Sequence, residues 1–370
     1  MTLGPRARLF ATDATTYRTA GIDLFTTGRI QSDIVMPLYP IWTFITGGDL
    51  GLQLADIVLS ALTVGVIGSL SFAMFRSRRA AIAAGAITCI YPFFLFYAPA
   101  GITETMFIFL LCSSFLALYR GDFVLGSILI VLSILTRPII DPVAPLIIVT
   151  FSLLVHGSSR SLCVRRVAVY LVLYTVLMAP WWVHNYHKYG SFVRLDLGDG
   201  HALVQGSICP LMDPGIQRYA RTQPECIDFD TIADPQVRTN AMRAAVLHFA
   251  RRAPLEFAKL SVLKLVGFWR PWLYTQNFAK RIAGLLSYGL VFLMSIAFFA
   301  RNWRRYGALL SPVLILAVYL SLVHSIGYGY IRYRLPLEPF LIVIAGFGLD
   351  RSLRFSARRT HFALKRASFI

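Results

Sequence analysis

Few charged side chains border the apolar stretches of this 370-residue chain, and those that do have types suited to chemistry. They are Asp13, Glu104 in "PAGITETMF", Arg137 and Asp141 in "LTRPIIDP", His184 and Asn185 in "PWWVHNYHKYG", and Arg332, Arg334 and Glu338 in "RYRLPLEPF". An ionisable group beside a membrane span is costly unless it is paired or faces a cavity, so each one is a candidate functional group. Guanidinium forks suit a phosphate, and a carboxylate can take a proton from an incoming hydroxyl. Plain structural readings stand beside these. Arg137 and Asp141, spaced i to i+4, can neutralise each other. Glu104 in a first helical turn suits the helix dipole, and Asp13 can be an N-cap. Arg332 and Arg334 can snorkel to lipid phosphates, while Trp181 and Trp182 fit an aromatic belt. Together, two or three arginines and two carboxylates converge on one end of a bundle that holds almost no other charge there. That is what a phosphate-bearing lipid substrate requires.

The elements that must position them are apolar. Hydrophobic residues make up 56% of the chain and charged ones 15%, with a mean hydropathy of +0.63, a membrane protein's composition. Apolar segments recur near 52–75, 80–98, 103–119, 123–136, 142–156, 167–183, 282–300, 308–326 and 335–350, giving about nine spans. The net charge of +18 lies in clusters between them: Arg76, Arg78 and Arg79, then Arg120, then Arg160, Arg165 and Arg166, then Arg301, Arg304 and Arg305, then the tail from Arg351. Alternating spans put all of these on one side, which the positive-inside rule makes cytoplasmic. The basic residues therefore read as topology signals and lipid-headgroup contacts, with no nucleic acid as partner. Arg332 and Arg334 fall on the opposite side, and this placement calls for a reason.

Five regions follow: an external N-terminal segment, 1–51; a first bundle, 52–183; an external insertion, 184–281; C-terminal spans, 282–350; and a cytoplasmic tail, 351–370. "TDATTYRTAGIDLF" sets Tyr17, Ala20 and Leu24 on one face of a short interfacial helix. "NAMRAAVLHFARRAPLEFAKLSVLKLVGFW" reads as an amphipathic helix on the outer leaflet. Cys209 and Cys226 both fall in the insertion, where an oxidising compartment permits a disulfide. No CxxC or HExxH occurs, so no metal is indicated by a motif.

The stretches "DATTYRTAGIDLFTTGRI" with "PLYP", then "ITETMFIFLL", "LTRP", "APWWVHNYHKYGSF" and "RYRLPLEPFLIVIAGFG", in this order, resemble the GT-C glycosyltransferases, and within them the glycosyltransferase family 39-like bacterial branch. That branch includes relatives of the protein O-mannosyltransferases and of the lipid A aminoarabinose transferase. The resemblance implies an all-α polytopic GT-C bundle in a bacterial inner membrane, with a periplasmic active site and a cytoplasmic C-terminus. Its donor would be a polyprenyl-phosphate-linked sugar, and its acceptor a glycolipid, a polysaccharide or a protein.

By that resemblance Asp13 is the catalytic base or helps to hold a divalent metal, and Glu104 is the second acid. Arg137, Arg332 or Arg334, with Tyr17, bind the lipid phosphate, while His184, Asn185 and Glu338 are further pocket candidates. The chain departs from the family pattern in lacking a span before the Asp13 loop, and in having Ala14 and His184 where relatives often carry an acid and an arginine. A flippase for a lipid-linked sugar, or a truncated inactive relative, is the alternative.

Overall fold

Helix starts are written locally into this sequence. Ser77, Asp122, Ser159 and Asp234 each precede an apolar or amphipathic run, and each accepts backbone N–H groups of the following turn. The computed structural model describes residues 12–209, 222–271 and 277–351, and all regular structure among them is helical. Residues 1–11 and the basic tail beyond Arg351 lie outside the described residues.

The helices are α1 (Thr12–Thr27), α2 (Leu38–Ile45), α3 (Asp49–Phe75), α4 (Arg78–Cys89), α5 (Pro92–Tyr97), α6 (Glu104–Tyr119), α7 (Phe123–Thr136), α8 (Ala144–Thr150), α9 (Arg160–Tyr189), α10 (Asp199–Ser207), α11 (Pro235–Arg252), α12 (Pro254–Trp269), α13 (Phe278–Gly284) and α14 (Leu290–Ile326), followed by a helix over 338–351. By length and apolar character α3, α9 and the run Phe278–Ile326 can cross a membrane. So can α4 with the short helix after it, if that pair, bent by 46°, counts as one span. The apolar helices α6, α7 and Ala144–Val155 are shorter. The helices pack around a core that includes Phe107, Phe115, Ile134, Phe151, Leu316 and Phe340, while Val58, Leu62, Val172, Val176 and Leu293 face outward. Such apolar outer faces suit lipid.

α14 is helical throughout, yet it does not run straight. Trp269 stacks on Phe292, with ring centroids 5.4 Å apart, and its Nε1 donates to Ser321 Oγ at 2.9 Å. A straight helix would place Phe292 and Ser321 roughly 43 Å apart. The rings of Phe298 and Tyr306 also meet at 5.6 Å. The chain therefore doubles back at the Arg301–Tyr306 corner, and two apolar arms run antiparallel, as the separate segments 282–300 and 308–326 required.

The insertion departs from its sequence reading in two ways. First, α9 continues to Tyr189 before Gly190 ends it with φ 68°, so His184 and Asn185 belong to the helix rather than to the insertion. A strap over 190–197 returns along it, with Asn185 Nδ2 donating to Val193 O and Leu195 O at 2.9 and 2.8 Å. Second, the expected single amphipathic helix is two, α11 and α12, broken at Pro254, which cannot donate the N–H that continuation needs. α11 and α10 form a small second core of Val204, Ile208, Met242, Val246 and Phe249, beside bonded Cys209 and Cys226 with a Cα separation of 5.4 Å.

At one end of the bundle Ser77 donates to Asp350 at 2.8 Å. The other end holds Asp13, Glu104, Arg137 and Arg332.

Candidate functional site

Four segments far apart in sequence supply these four residues. Asp13 stands in the first turn of α1, a helix held down by Ala20, Tyr17 and Leu24 against the bundle. Glu104 is the first residue of α6 and 1% exposed. Arg137 follows the last turn of α7 in extended backbone. Arg332 lies in the tight helical turn Ile331–Leu337.

Glu104 is the hub. Its Oε1 accepts from Arg137 Nη1 and from Arg332 Nε, and its Oε2 accepts from Arg332 Nη2 at 3.2 Å. Arg332 Nη1 then reaches outward to Asp13 Oδ2 at 2.7 Å. Burial decides what each can do. Glu104 is sealed beneath two guanidiniums, whereas the Asp13 side chain is 45% exposed and the two arginines are 19% exposed. The hub thus aligns two cations, the outer edge of one of them held by Asp13, and leaves that second carboxylate in contact with solvent.

Aromatic rings flank Arg137. Arg137 Cζ lies 5.7 Å from the Tyr333 ring and 6.0 Å from the Phe107 ring. Tyr333 is backed by stacked His324 and Tyr328, at 4.9 and 5.6 Å. Tyr17 packs edge-on to Tyr39 at 5.3 Å, near enough for Arg137, Glu104 and Arg332 to act on its hydroxyl. A crevice of about 20 Å³, lined in part by Thr63, Phe94, Tyr97 and Thr105, reaches Glu104 from the flank; it has room for about one water.

Other sequence candidates lie apart from this group or serve the fold. Arg137 and Asp141 do not pair: Arg137 goes to Glu104, and Asp141 takes Arg194 and the Tyr174 hydroxyl. Arg334, expected at the lipid phosphate, is 1% exposed and fully committed. It donates to Glu338 Oε1 at 2.9 Å, to Phe268 O at 2.9 Å and to Arg270 O at 2.8 Å, with its Cζ 3.3 Å from the centroid of the Tyr288 ring. Glu338, at 0% exposure, is its counterion rather than a pocket residue. Two arginines separated by one residue in an extended or tightly turned segment diverge, and here one enters the site while the other enters the core. Arg332 does not snorkel either, because its donors are spent on carboxylates. Asn185 is buried and ties down the strap, and His184 stacks on Trp181 at 4.9 Å.

The sequence reading missed three polar centres. Asp56 is buried in α3 and accepts from the Tyr39 hydroxyl at 2.7 Å and Trp42 Nε1 at 2.9 Å, locking α2 to α3. An acid inside the apolar run "LADIVLS" was a visible signal. Asp33 gathers Lys188, Tyr189 and Arg238, joining the loop after α1 to the insertion. Lys264 is wholly buried, its ammonium against Ile326 O and Ser207 Oγ. In an amphipathic stretch nothing distinguished it from its solvated neighbours.

Among the described residues no group of three His, Cys, Asp or Glu side chains is placed to hold a metal ion. The donors at the site do not fit one: Glu104 is neutralised by two guanidiniums, and Asp13 pairs with one of the same two, Arg332, with no second free carboxylate beside it among the described residues.

No protein-family pattern matches the sequence, and no curated protein matches it. Solved structures do. The archaeal oligosaccharyltransferase AglB from Archaeoglobus fulgidus, in complex with an inhibitory peptide and a dolichol-phosphate, superposes with a TM-score of 0.60 at 16% identity, over 99% of this chain and 50% of that one. The apo form of the Archaeoglobus fulgidus oligosaccharyltransferase gives 0.58 at 14% identity, with the same coverage. ArnT from Cupriavidus metallidurans, bound to undecaprenyl phosphate, gives 0.42 at 16% over 94% of this chain and 75% of that one. The chain thus spans half the length of the oligosaccharyltransferases it matches. It shares the all-helical fold of those oligosaccharyltransferases.

Proposed function

We propose that this chain, sharing the GT-C fold, is a membrane glycosyltransferase that moves a sugar from a polyprenyl-phosphate donor to an acceptor hydroxyl. The transfer takes place at the Asp13 end of the bundle, on the periplasmic face of a bacterial inner membrane. The observation that carries this reading is the Glu104 hub, which presents two guanidiniums beside one half-exposed carboxylate.

The roles follow from that geometry. Arg137 and Arg332, held side by side on Glu104, supply the positive charge that binds the donor phosphate. Asp13 takes the proton of the acceptor hydroxyl as its oxygen attacks the anomeric carbon. The bond from that carbon to the phosphate oxygen breaks, and the electron pair leaves with the phosphate. Charge then grows between two fixed cations, where preorganised donors stabilise a transition state most effectively. Glu104 takes no proton in this scheme; it positions the cations. The acceptor is a glycolipid, a polysaccharide or a protein chain.

The test incubates purified protein with radiolabelled undecaprenyl-phosphate sugars and an extract of envelope acceptors. Label should move to an acceptor with the wild type and stay on the lipid with Asp13→Asn. Label staying on the lipid for the wild type, while the protein still binds it, would favour a flippase or an inactive relative.

A further inference from the structure

Arg332 serves two carboxylates that differ in how easily they can leave. Glu104 is 1% exposed and also holds Arg137, so losing its partners would strand a buried charge. Asp13 is 45% exposed on its side chain, and among the described residues its ion pair is with Arg332 alone. Releasing Asp13 into water costs little.

We infer that Asp13 is an internal competitor for the phosphate subsite, and that a phosphate oxygen must displace it from Arg332. This deepens the glycosyltransferase reading and rests on it for the identity of the anion.

Charge bookkeeping supports the exchange. Arg137, Arg332, Glu104 and Asp13 sum to zero, so a phosphate added to the intact cluster meets no net attraction. With Asp13 turned aside, the remaining three carry a single positive charge, the complement of a phosphodiester monoanion. The geometry agrees. Arg332 spends Nε and Nη2 on Glu104 and Nη1 on Asp13, so the edge directed at Asp13 is the one an incoming anion can take without uncovering Glu104. The same movement frees Asp13 Oδ2 for the acceptor, and donor binding then precedes acceptor activation.

The experiment measures equilibrium binding of undecaprenyl phosphate in detergent, and separately of inorganic phosphate, to the full chain by tryptophan fluorescence. Asp13→Asn and Asp13→Ala should each bind undecaprenyl phosphate roughly three- to fivefold tighter than wild type, the scale of a half-exposed ion pair. Asp23→Asn, which removes a charge elsewhere on α1, should leave affinity unchanged. Tightening with both ligands assigns the effect to the phosphate alone; tightening with the lipid only assigns the subsite to a lipid-borne phosphate. Unchanged or weaker binding in both Asp13 variants overturns the inference. The two readings fail separately: tightening without any transfer by the wild type removes the glycosyltransferase and keeps the competition.

Discussion

Arg332 and Glu104, 228 residues apart, meet through two hydrogen bonds at the head of α6, and Arg137 closes on the same carboxylate. Both arginines converge on that one acid. Two guanidiniums placed side by side would otherwise repel each other.

Glu104→Gln keeps the shape and removes the charge. Transfer should fall about a hundredfold through misplaced cations, comparable to losing one preorganised donor. Folding, followed by circular dichroism, should survive. Retention of wild-type kcat in the glutamine variant would show that the arginines hold their positions unaided.

Arg334 and Glu338 form a pair buried to 1% and 0% exposure. Arg334→Ala strands the carboxylate and should cost about 3 to 5 kcal/mol. The double change Arg334→Met with Glu338→Leu should restore most of the lost thermal midpoint, because no buried charge is then left alone. If Arg334 instead gripped the lipid phosphate, the double variant would fold and lose undecaprenyl phosphate binding.

Lys264, in the insertion, is held in its neutral form by burial, which pushes its pKa down to about 7 from the ordinary 10.5. Gly329 packs so closely that an added Cβ would lie 2.7 Å from Lys264 Cβ, and the amine itself sits against Ile326 O and Ser207 Oγ. Between those two values the unfolded chain binds the extra proton, so stability rises with pH from about 7 to 10.5 and is lost as pH falls back through 7. Lys264→Met should flatten that slope. The check is the change in thermal midpoint between about pH 7 and pH 9.5 in the two proteins, and equal slopes would discard the idea.

Cys209 and Cys226 close a loop with a sequence separation of 17 beside the small second core. Ser207, two residues before the bond, donates to Ile326 O at 2.9 Å and so ties α10 to the end of α14. Its loss should cost the insertion about 3 kcal/mol. Cys209→Ser with Cys226→Ser should be nicked faster in α10 and α11 by a protease added to the native protein. An unchanged digestion pattern would mean that the core holds without the bond.

Much of this molecule was legible in one dimension. Apolar runs and arginine clusters are local signals, and they marked the helices, the reversal near Arg301 and the scarcity of charge at the Asp13 end. Periodicity placed Tyr17, Ala20 and Leu24 on the buried face of α1. The order of short motifs pointed to the GT-C fold, and the rarity of charge beside the spans singled out Asp13, Glu104, Arg137 and Arg332 together with Arg334 and Glu338.

Tertiary structure alone decided the partners. A sequence cannot say which of two arginines one residue apart turns inward, because that depends on the carbonyls of Phe268 and Arg270 that wait in the core for Arg334. It also could not separate Glu104 from Asp13. Both are acids in a first helical turn, and only burial by neighbours distant in sequence makes one a fixed hub and the other an exchangeable, solvent-facing carboxylate. Charge pairing follows distance in space, and in this chain the deciding distances join residues 33 to 319 positions apart.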